Sequence, residues 1–418
     1  MDPAVFDHQY LRMKDPFNNA GYEIAVAYTR AGEVDYVYAA DVLLARQADV
    51  PQLRDVLPRL RQDFARPQPV YGDLVLLPIG GDGHHDEDGH LTVPEALDLI
   101  EQRVGKERMV SGGEPPPAAA VHVVHTAKLC AATEPEVPGG PAPAPYPPPA
   151  VPGAGQEGIL LGISDTGLWE QPPPDLHPWM AGVDGVADPP GPTLAGGQLS
   201  IPYEGGHGTM VAGMARCMAP GAGVYVGNHF PYSGGTLEYM LARDLETLIA
   251  DQSPDLINLS AGGYSRGDVP PLSFIEFRQR NPGVTLVTAA GNDSTDRPFW
   301  PAAFGWAVAV GALGADLQNL AWFSNYGDWV DVYALGEGVV NAFATGVYTY
   351  NEPPKQPAKQ VFDGMARWSG TSFSAPLVAG LIVAEMARSQ SSAADAWQEV
   401  LGTAANTGGF GPVLLPPP

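Results

Sequence analysis

Short apolar stretches alternate with amphipathic ones along the first third of the chain. Four stretches have the composition of strands: residues 23–28, 34–38, 73–79 and 121–124. Two stretches carry apolar positions on one face of a helix: residues 50–64 and 93–104. The first two strands are predicted to pair with each other. This pattern predicts a small α+β domain over residues 1–132.

A segment rich in proline, glycine and alanine follows at residues 133–156, and this composition predicts an extended linker. The pattern then changes to continuous apolar runs, such as residues 159–163 and 284–290. Runs of this kind indicate strands that are buried on both faces, as in a parallel sheet. Residues 157–418 are therefore predicted to form a second domain, of the α/β class.

One helix of this second domain is predicted at residues 372–386, where apolar side chains recur with helical spacing. Pro376 is expected within about its first turn, where a missing N–H is tolerated. Ser372 then lies at or next to the helix N-terminus. Free backbone N–H groups and the positive end of the helix dipole stabilise a developing oxyanion there. Taken alone, the segment is more typical of a turn followed by an N-cap serine.

Two further residues complete a set that can act together with Ser372. His207 follows two glycines and opens a predicted helix, and Asp165 lies at the carboxyl end of the strand at residues 159–163. A serine hydroxyl needs an adjacent base, and a carboxylate can orient that histidine through Nδ1. Each residue alone also fits an ordinary turn or core position. Together they predict Ser372 as the nucleophile, His207 as its base and Asp165 as the group that holds His207.

Asn292 follows the predicted strand at residues 284–290, within a Gly-Asn-Asp sequence. A side-chain amide can donate a hydrogen bond to the oxyanion of a tetrahedral intermediate, together with the backbone N–H of Ser372. Gly-Asn-Asp is also a favourable turn after a strand. Beside the other three residues, Asn292 is predicted to be the oxyanion donor.

With its motifs in the order Asp165, His207 and Ser372, the chain resembles the subtilisin-like serine peptidases, the subtilase family. The resemblance extends from about residue 158 to about residue 408. It implies a subtilisin-like three-layer domain with a mostly parallel central sheet, and the activity of a serine endopeptidase that hydrolyses peptide bonds. The related sedolisin group also has a Gly-Thr-Ser signature but uses Glu and Asp in place of the histidine. The His-Gly-Thr setting of His207 argues against that group.

The resemblance also implies the two walls of a substrate-binding cleft. One wall would pair with the substrate backbone and consists of Ser260, Ala261 and Gly262. The opposite wall of the pocket for the residue before the cut consists of Ala289, Ala290 and Gly291. The chemistry requires no cofactor. Structural calcium sites are frequent in the family, and the sequence does not place one.

The N-terminal domain has the position and size class of the propeptides that many members of this family carry. Its sequence holds no specific propeptide motif, so two interpretations stay open. Residues 1–132 could inhibit the catalytic domain intramolecularly, or they could form a permanent recognition or docking domain. The alternative function for the whole chain is an autoinhibited sensing or binding module whose protease domain acts only after a trigger.

The charge balance excludes some classes of partner. The 418 residues include 22 basic and 47 acidic side chains, a net charge of −25, and such a surface should repel nucleic acid and anionic membranes. The expected partner is a peptide or protein substrate.

No apolar run is long enough to predict a membrane span. Because the first residues lack signal-peptide features and Cys130 and Cys217 give no disulfide framework, we expect a cytoplasmic protein.

One loop contains the residue types of a metal site. Imidazole and carboxylate groups are suitable ligands, and residues 80–90 include His84, His85, Asp86, Glu87, Asp88 and His90. No ligand spacing supports a site, and a solvated acidic loop has the same composition. We therefore predict no metal ligands.

Overall fold

The computed structural model describes most of the chain. The described residues are 3–57, 68–79, 91–104, 115–126, 134–140, 143–169, 177–352, 354–406 and 409–417. The acidic loop at residues 80–90 lies outside this set, as does the second half of the helix predicted at residues 50–64.

Helices and strands alternate along both parts of the chain. The helices are α1 (Pro3–Asn19), α2 (Val50–Val56), α3 (Val93–Val104), α4 (His207–Met218), α5 (Glu238–Gln252), α6 (Leu272–Arg280), α7 (Thr371–Ser389) and α8 (Ala393–Gly402). The first strands are β1 (Ile24–Tyr28), β2 (Val34–Arg46), β3 (Pro69–Tyr71), β4 (Leu74–Pro78), β5 (Ala118–Thr126), β6 (Leu160–Asp165), β7 (Val183–Gly185), β8 (Ser200–Ile201), β9 (Gly223–Asn228) and β10 (Gly235–Leu237). The others are β11 (Leu256–Leu259), β12 (Ala261–Gly262), β13 (Leu286–Ala289), β14 (Ala307–Leu313), β15 (Val332–Leu335), β16 (Val339–Thr349), β17 (Lys359–Trp368), β18 (Ala405–Asn406) and β19 (Pro412–Leu414). Among the described helices, none has both the length and the apolar character to cross a membrane.

The central sheet of the second domain is parallel apart from its last pair of strands. Its order is β18-β19-β15-β14-β13-β11-β6-β9-β7, and within it β18 and β19 pair antiparallel. Helices α4, α7 and α8 pack on one face, whereas α5 and α6 pack on the other. This three-layer arrangement confirms the predicted α/β fold with a mostly parallel sheet.

Burial on both faces explains the continuous apolar runs of the central strands. In β11, Leu256 packs in the core on the α4 and α7 face, and Ile257 packs in the core on the α5 and α6 face. Their exposed fractions are 1% and 0%. A strand covered in this way has no solvent face, so polar residues do not alternate along it.

The N-terminal strands form an antiparallel sheet that continues into the second domain. Strand β2 pairs with β1, β4 and β5, and β3 extends the sheet beyond β4. Helices α2 and α3 cover one face, and the other face packs against α5 and α6. Strand β5 also pairs antiparallel with β10 and with β12, which both belong to the second domain. The two predicted domains therefore share a sheet through β5.

Helix α1 was not predicted from the sequence. Its buried side chains Phe6, Met13 and Phe17 follow helical spacing and join the core that also contains α5 and α6. Pro16 lies inside the helix and weakens the local signal for it. Strands β2 and β5 are also longer than the stretches predicted at residues 34–38 and 121–124, because pairing partners support their additional residues.

Described residues of the predicted linker at residues 133–156 are hydrogen-bonded to the second domain. Glu136 and Arg367 exchange backbone hydrogen bonds of 2.9 and 2.7 Å. Tyr146 and Val340 exchange two more, of 2.8 and 3.0 Å. The described part of this segment therefore lies along β16 and β17. The proposed domain boundaries stay a prediction.

The packing of α7 generates a stability prediction. Replacement of Leu377, which is fully buried in the core of the second domain, by alanine should lower the free energy of unfolding by about 2–5 kcal/mol. The matched change Leu381→Ala lies on the same helix at a half-buried position and should have a smaller effect. Urea unfolding followed by tryptophan fluorescence measures both changes. Equal losses would contradict the described orientation of α7.

Candidate active site

The topology brings the four predicted catalytic residues to one edge of the central sheet. Asp165 is the last residue of β6, and His207 is the first residue of α4. Ser372 is the second residue of α7, and Asn292 lies in the loop after β13. Because β6 and β13 are both parallel neighbours of β11, their carboxyl ends meet at the same edge.

A buried hydrogen bond joins Asp165 and His207. The distance between Asp165 Oδ1 and His207 Nδ1 is 2.7 Å, and both side chains are fully buried. The backbone N–H of Thr166 also donates to Asp165 Oδ1, at 2.8 Å. When Nδ1–H donates to the carboxylate, a neutral imidazole carries its lone pair on Nε2. No hydrogen-bond partner of Nε2 occurs within the described residues, so this nitrogen can accept a proton.

Glycines allow α4 to approach β6 closely. Gly206 precedes the helix with a φ of 81°, a left-handed conformation that glycine adopts without strain. A β-carbon on Gly208 would stand 2.4 Å from the carbonyl oxygen of Gly167. The glycines on both sides of His207 therefore place its ring within hydrogen-bonding distance of Asp165.

The hydroxyl of Ser372 has a different partner in this conformation. Its Oγ donates to the carbonyl oxygen of Ser260 at 3.4 Å. Within the part of the chain that the structure describes, it makes no hydrogen bond to His207 Nε2. Rotation about the Cα–Cβ bond of Ser372 is the movement that would exchange one acceptor for the other.

Pro376 lies deeper in α7 than the sequence predicted. It is the sixth residue of the helix, beyond the first turn. Because proline has no N–H, the carbonyl oxygen of Ser372, four positions earlier, lacks its usual helical donor. Ser260 Oγ donates to this carbonyl oxygen at 2.8 Å, and Asn258 Nδ2 donates to Ser260 Oγ at 3.0 Å. Ser260 thereby ties the end of β11 to the segment that carries Ser372.

The amide of Asn292 is oriented by the residue before Ser372. The backbone N–H and the Oγ1 hydroxyl of Thr371 both donate to Asn292 Oδ1, each at 2.8 Å. Thr371 Oγ1 also accepts a hydrogen bond from the backbone N–H of Gly291, at 3.1 Å. Because Oδ1 is held by Thr371, Nδ2 lies on the other side of the amide, near Gly370.

The predicted substrate strand is paired with the N-terminal domain. Ala261 lies opposite Thr126 and Gly262 lies opposite His125, in an antiparallel register. On its other side, β5 pairs with β10, and the backbone N–H of Thr126 donates to the carbonyl oxygen of Gly234 at 2.8 Å. Strand β5 thus lies between two strands of the second domain. The opposite predicted wall is buried at the end of β13 and consists of Ala289, Ala290 and Gly291.

Two titratable groups near the site have pKa values shifted by burial. Burial lowers the pKa of His229 to about 4, and its Nδ1 lies 2.8 Å from Ser164 Oγ. Burial raises the pKa of Asp293 to about 6, although the hydroxyl of Tyr264 donates to its Oδ2 at 2.7 Å. Desolvation therefore favours the neutral form of both groups.

Two residues at this edge of the sheet were not identified from the sequence. Thr371 directly precedes Ser372, and its position in the Gly-Thr-Ser motif is the signal that could have identified it. Phe299 lies against both predicted walls of the substrate pocket. No local pattern distinguishes it from an ordinary core residue, because its position depends on contacts with residues that are distant in sequence.

The described residues contain no group of three or more His, Cys, Asp or Glu side chains arranged to hold a metal ion. The histidine-rich loop at residues 80–90 lies outside them. The prediction that this loop binds no metal therefore stays a prediction. The expectation of structural calcium also stays an expectation.

Comparison with curated proteins finds relatives that are named as serine proteinases. A thermophilic serine proteinase of Bacillus sp. strain AK1 is 33% identical over 186 residues, which are 42% of this chain and 41% of that protein. Thermitase of Thermoactinomyces vulgaris is 29% identical over 266 residues, which are 60% of this chain and 84% of that enzyme. The chain therefore spans about two fifths of the length of the first relative and most of the length of the second.

Comparison with solved structures supports the fold. The crystal structure of fervidolysin from Fervidobacterium pennivorans, a keratinolytic enzyme related to subtilisin, aligns with a TM-score of 0.55 and 17% identity. The alignment covers 94% of this chain and 62% of that one. The model of the subtilase family matches residues 156–414, which include all four predicted catalytic residues. The chain therefore belongs to the subtilase family.

Proposed function

We propose that this protein is a serine endopeptidase with Asp165, His207 and Ser372 as its catalytic triad and Asn292 as an oxyanion donor. The observation that carries the proposal is the buried hydrogen bond between Asp165 and His207, which leaves Nε2 as the basic nitrogen. Its relatives' names support the same activity. The substrate is a peptide or protein, and the chemistry requires no cofactor.

The proposed reaction begins with a peptide extended along residues 260–262. Ser372 Oγ rotates from the carbonyl oxygen of Ser260 towards His207, and His207 Nε2 takes its proton as Oγ attacks the scissile carbonyl. The tetrahedral oxyanion accepts hydrogen bonds from Asn292 Nδ2 and from the backbone N–H of Ser372. His207 then protonates the leaving amine, and water hydrolyses the acyl ester.

A second proposal concerns regulation: the N-terminal domain occupies the cleft of the intact chain. Strand β5 makes the antiparallel pairs with β12 that a substrate would make, and β10 holds its other edge. While β5 is paired with β12, the backbone of a substrate cannot form the same hydrogen bonds. This arrangement favours an inhibitory or propeptide role over a docking role that leaves the cleft open. The corresponding alternative for the whole chain is an autoinhibited sensing or binding module whose protease domain acts only after a trigger.

The location of the protein stays a prediction. A cytoplasmic location is the expectation from the sequence, whereas two related proteins are named as extracellular: the minor extracellular protease Epr of Bacillus subtilis and the extracellular serine proteinase of Thermus sp. strain Rt41A. The proposed chemistry is independent of the compartment.

The role of Ser372 is tested by labelling with a fluorophosphonate, which reacts with activated serines. Intact-mass analysis of the wild-type protein should show a single adduct, and Ser372→Ala should abolish both adduct formation and peptide hydrolysis while preserving the fold. The matched variant Ser374→Ala removes another buried hydroxyl of α7, which donates to the carbonyl oxygen of Ala334, and should retain the adduct. Peptide hydrolysis by Ser372→Ala would contradict the assignment.

The role of Asn292 is tested by kinetics. Asn292→Ala should lower kcat by about 100- to 1000-fold with a smaller change in KM, a range taken from an oxyanion donor of subtilisin itself. Its side chain is expected to bind the oxyanion in the transition state and to contribute little to substrate binding. The exposed residue Asn319 provides the control variant Asn319→Ala, which should leave both constants unchanged. A loss confined to KM would contradict the proposed role.

Occupation of the cleft is tested with Thr126. Thr126→Pro removes the N–H that donates to Gly234, so the full-length chain should form the fluorophosphonate adduct faster than the wild type. Thr126→Ser keeps this N–H and also the hydroxyl that donates to Glu204 Oε2, and it should resemble the wild type. Intact mass follows the full-length species and also reports any self-cleavage shortly after Thr126. Equal labelling rates of all three chains would show that β5 does not control access to Ser372.

A further inference from the structure

A phenylalanine of the chain fills the space between the two predicted walls of the substrate pocket. A β-carbon on Gly262 would stand 2.3 Å from Phe299 Cε1, and a β-carbon on Gly291 would stand 3.1 Å from Phe299 Cγ. The ring therefore lies directly against one glycine from each wall. Its exposed fraction in the intact chain is 1%, and the ring of His125 in β5 packs edge-on against it with centroids 6.0 Å apart.

Neighbouring contacts hold this ring in place. Trp300 and Gly263 exchange two backbone hydrogen bonds of 2.9 Å, which tie the segment of Phe299 to the wall that contains Gly262. The ring of Tyr264 packs edge-on against Phe299 with centroids 5.2 Å apart. Tyr264 is in turn fixed by Asp293 and Asn325. Displacement of the ring would disturb these contacts as well.

The register of β5 shows which substrate residue this pocket receives. His125 lies opposite Gly262 and Thr126 lies opposite Ala261, so a peptide in the same register places its next residue opposite Ser260. Ser372 Oγ lies 3.4 Å from the carbonyl oxygen of Ser260. The residue opposite Ser260 is therefore the one whose carbonyl Ser372 can attack, and its side chain enters the space between the walls. In the sequence, Thr126 is followed by Ala127, which has a single methyl group as its side chain.

We propose that Phe299 determines substrate specificity, and that this protein cleaves after small residues such as glycine, alanine and serine. The inference rests on the proposed endopeptidase function and adds the class of residue before the cut. With the ring in place, a methyl or hydroxymethyl group fits beside it. A larger side chain has to displace Phe299 and the contacts that fix it, and this cost applies in the transition state as well as on binding.

The test uses fluorogenic peptides that differ in the residue before the cut: alanine, valine, leucine or phenylalanine. The wild type should show a kcat/KM for the alanine peptide that exceeds the value for the phenylalanine peptide by about 100-fold or more, since one methylene changes kcat/KM by about 10- to 200-fold. Phe299→Ala should reduce this ratio at least about tenfold. Phe277→Ala is the control, because this fully buried ring belongs to α6 and packs against Trp306, and it should keep the wild-type ratio.

Fluorophosphonate labelling separates failure of this inference from failure of the proposed function. A labelled chain that cleaves the phenylalanine peptide as well as the alanine peptide would overturn the role of Phe299. Because β5 is proposed to fill the cleft of the intact chain, the same series is measured with Thr126→Pro as well. Absence of both adduct and peptide cleavage in the wild type and in this variant would contradict the endopeptidase function itself. If Phe299→Ala does not fold, the wild-type series decides alone, and Phe299→Leu should show an intermediate ratio.

Discussion

The buried hydrogen bond between Asp165 and His207 is the interaction on which the arrangement of this site depends. It requires a carboxylate at the end of β6 and a helix whose first residue reaches that carboxylate. The parallel sheet supplies the first condition, and the close approach of Gly208 to Gly167 supplies the second. Both side chains are fully buried, so the bond does not compete with water. The helix that carries Ser372 is placed by the same sheet, because α7 packs on the face that also receives α4.

The shared sheet joins the N-terminal domain to the predicted substrate strand. Partly exposed ion pairs, such as those of Arg266 with Asp98 and of Arg297 with Asp35, contribute about 0–1 kcal/mol each. Fully buried aliphatic side chains such as Val121, which packs in the same core as helix α5, contribute about 1.5–3 kcal/mol each. Apolar packing therefore dominates the association of the two parts. Separation of β5 from β10 and β12 requires separation of this core, whereas screening of surface charges changes little.

Local sequence was sufficient to place the predicted catalytic residues at the ends of strands and the starts of helices, and their roles stay a prediction. Asp165, His207, Ser372 and Asn292 each stand at a strand end or a helix start, and such positions can be identified from apolar runs and glycines. The position of β5 between β10 and β12 could not be predicted, because it depends on pairing between residues more than a hundred positions apart. Helix α1 was missed for a different reason, since Pro16 interrupts an otherwise helical pattern. The contact of Phe299 with two distant glycines also arises only in the folded chain.

The crystal structure of the fluorophosphonate adduct tests the central claim most directly. Phosphorus should be bonded to Ser372 Oγ. The phosphonyl oxygen should lie about 2.7–3.1 Å from both Asn292 Nδ2 and the backbone nitrogen of Ser372. His207 should keep its Nδ1 hydrogen bond to Asp165, with Nε2 directed at the adduct. An adduct on another residue, or a phosphonyl oxygen directed away from Asn292, would contradict the assignment of this site.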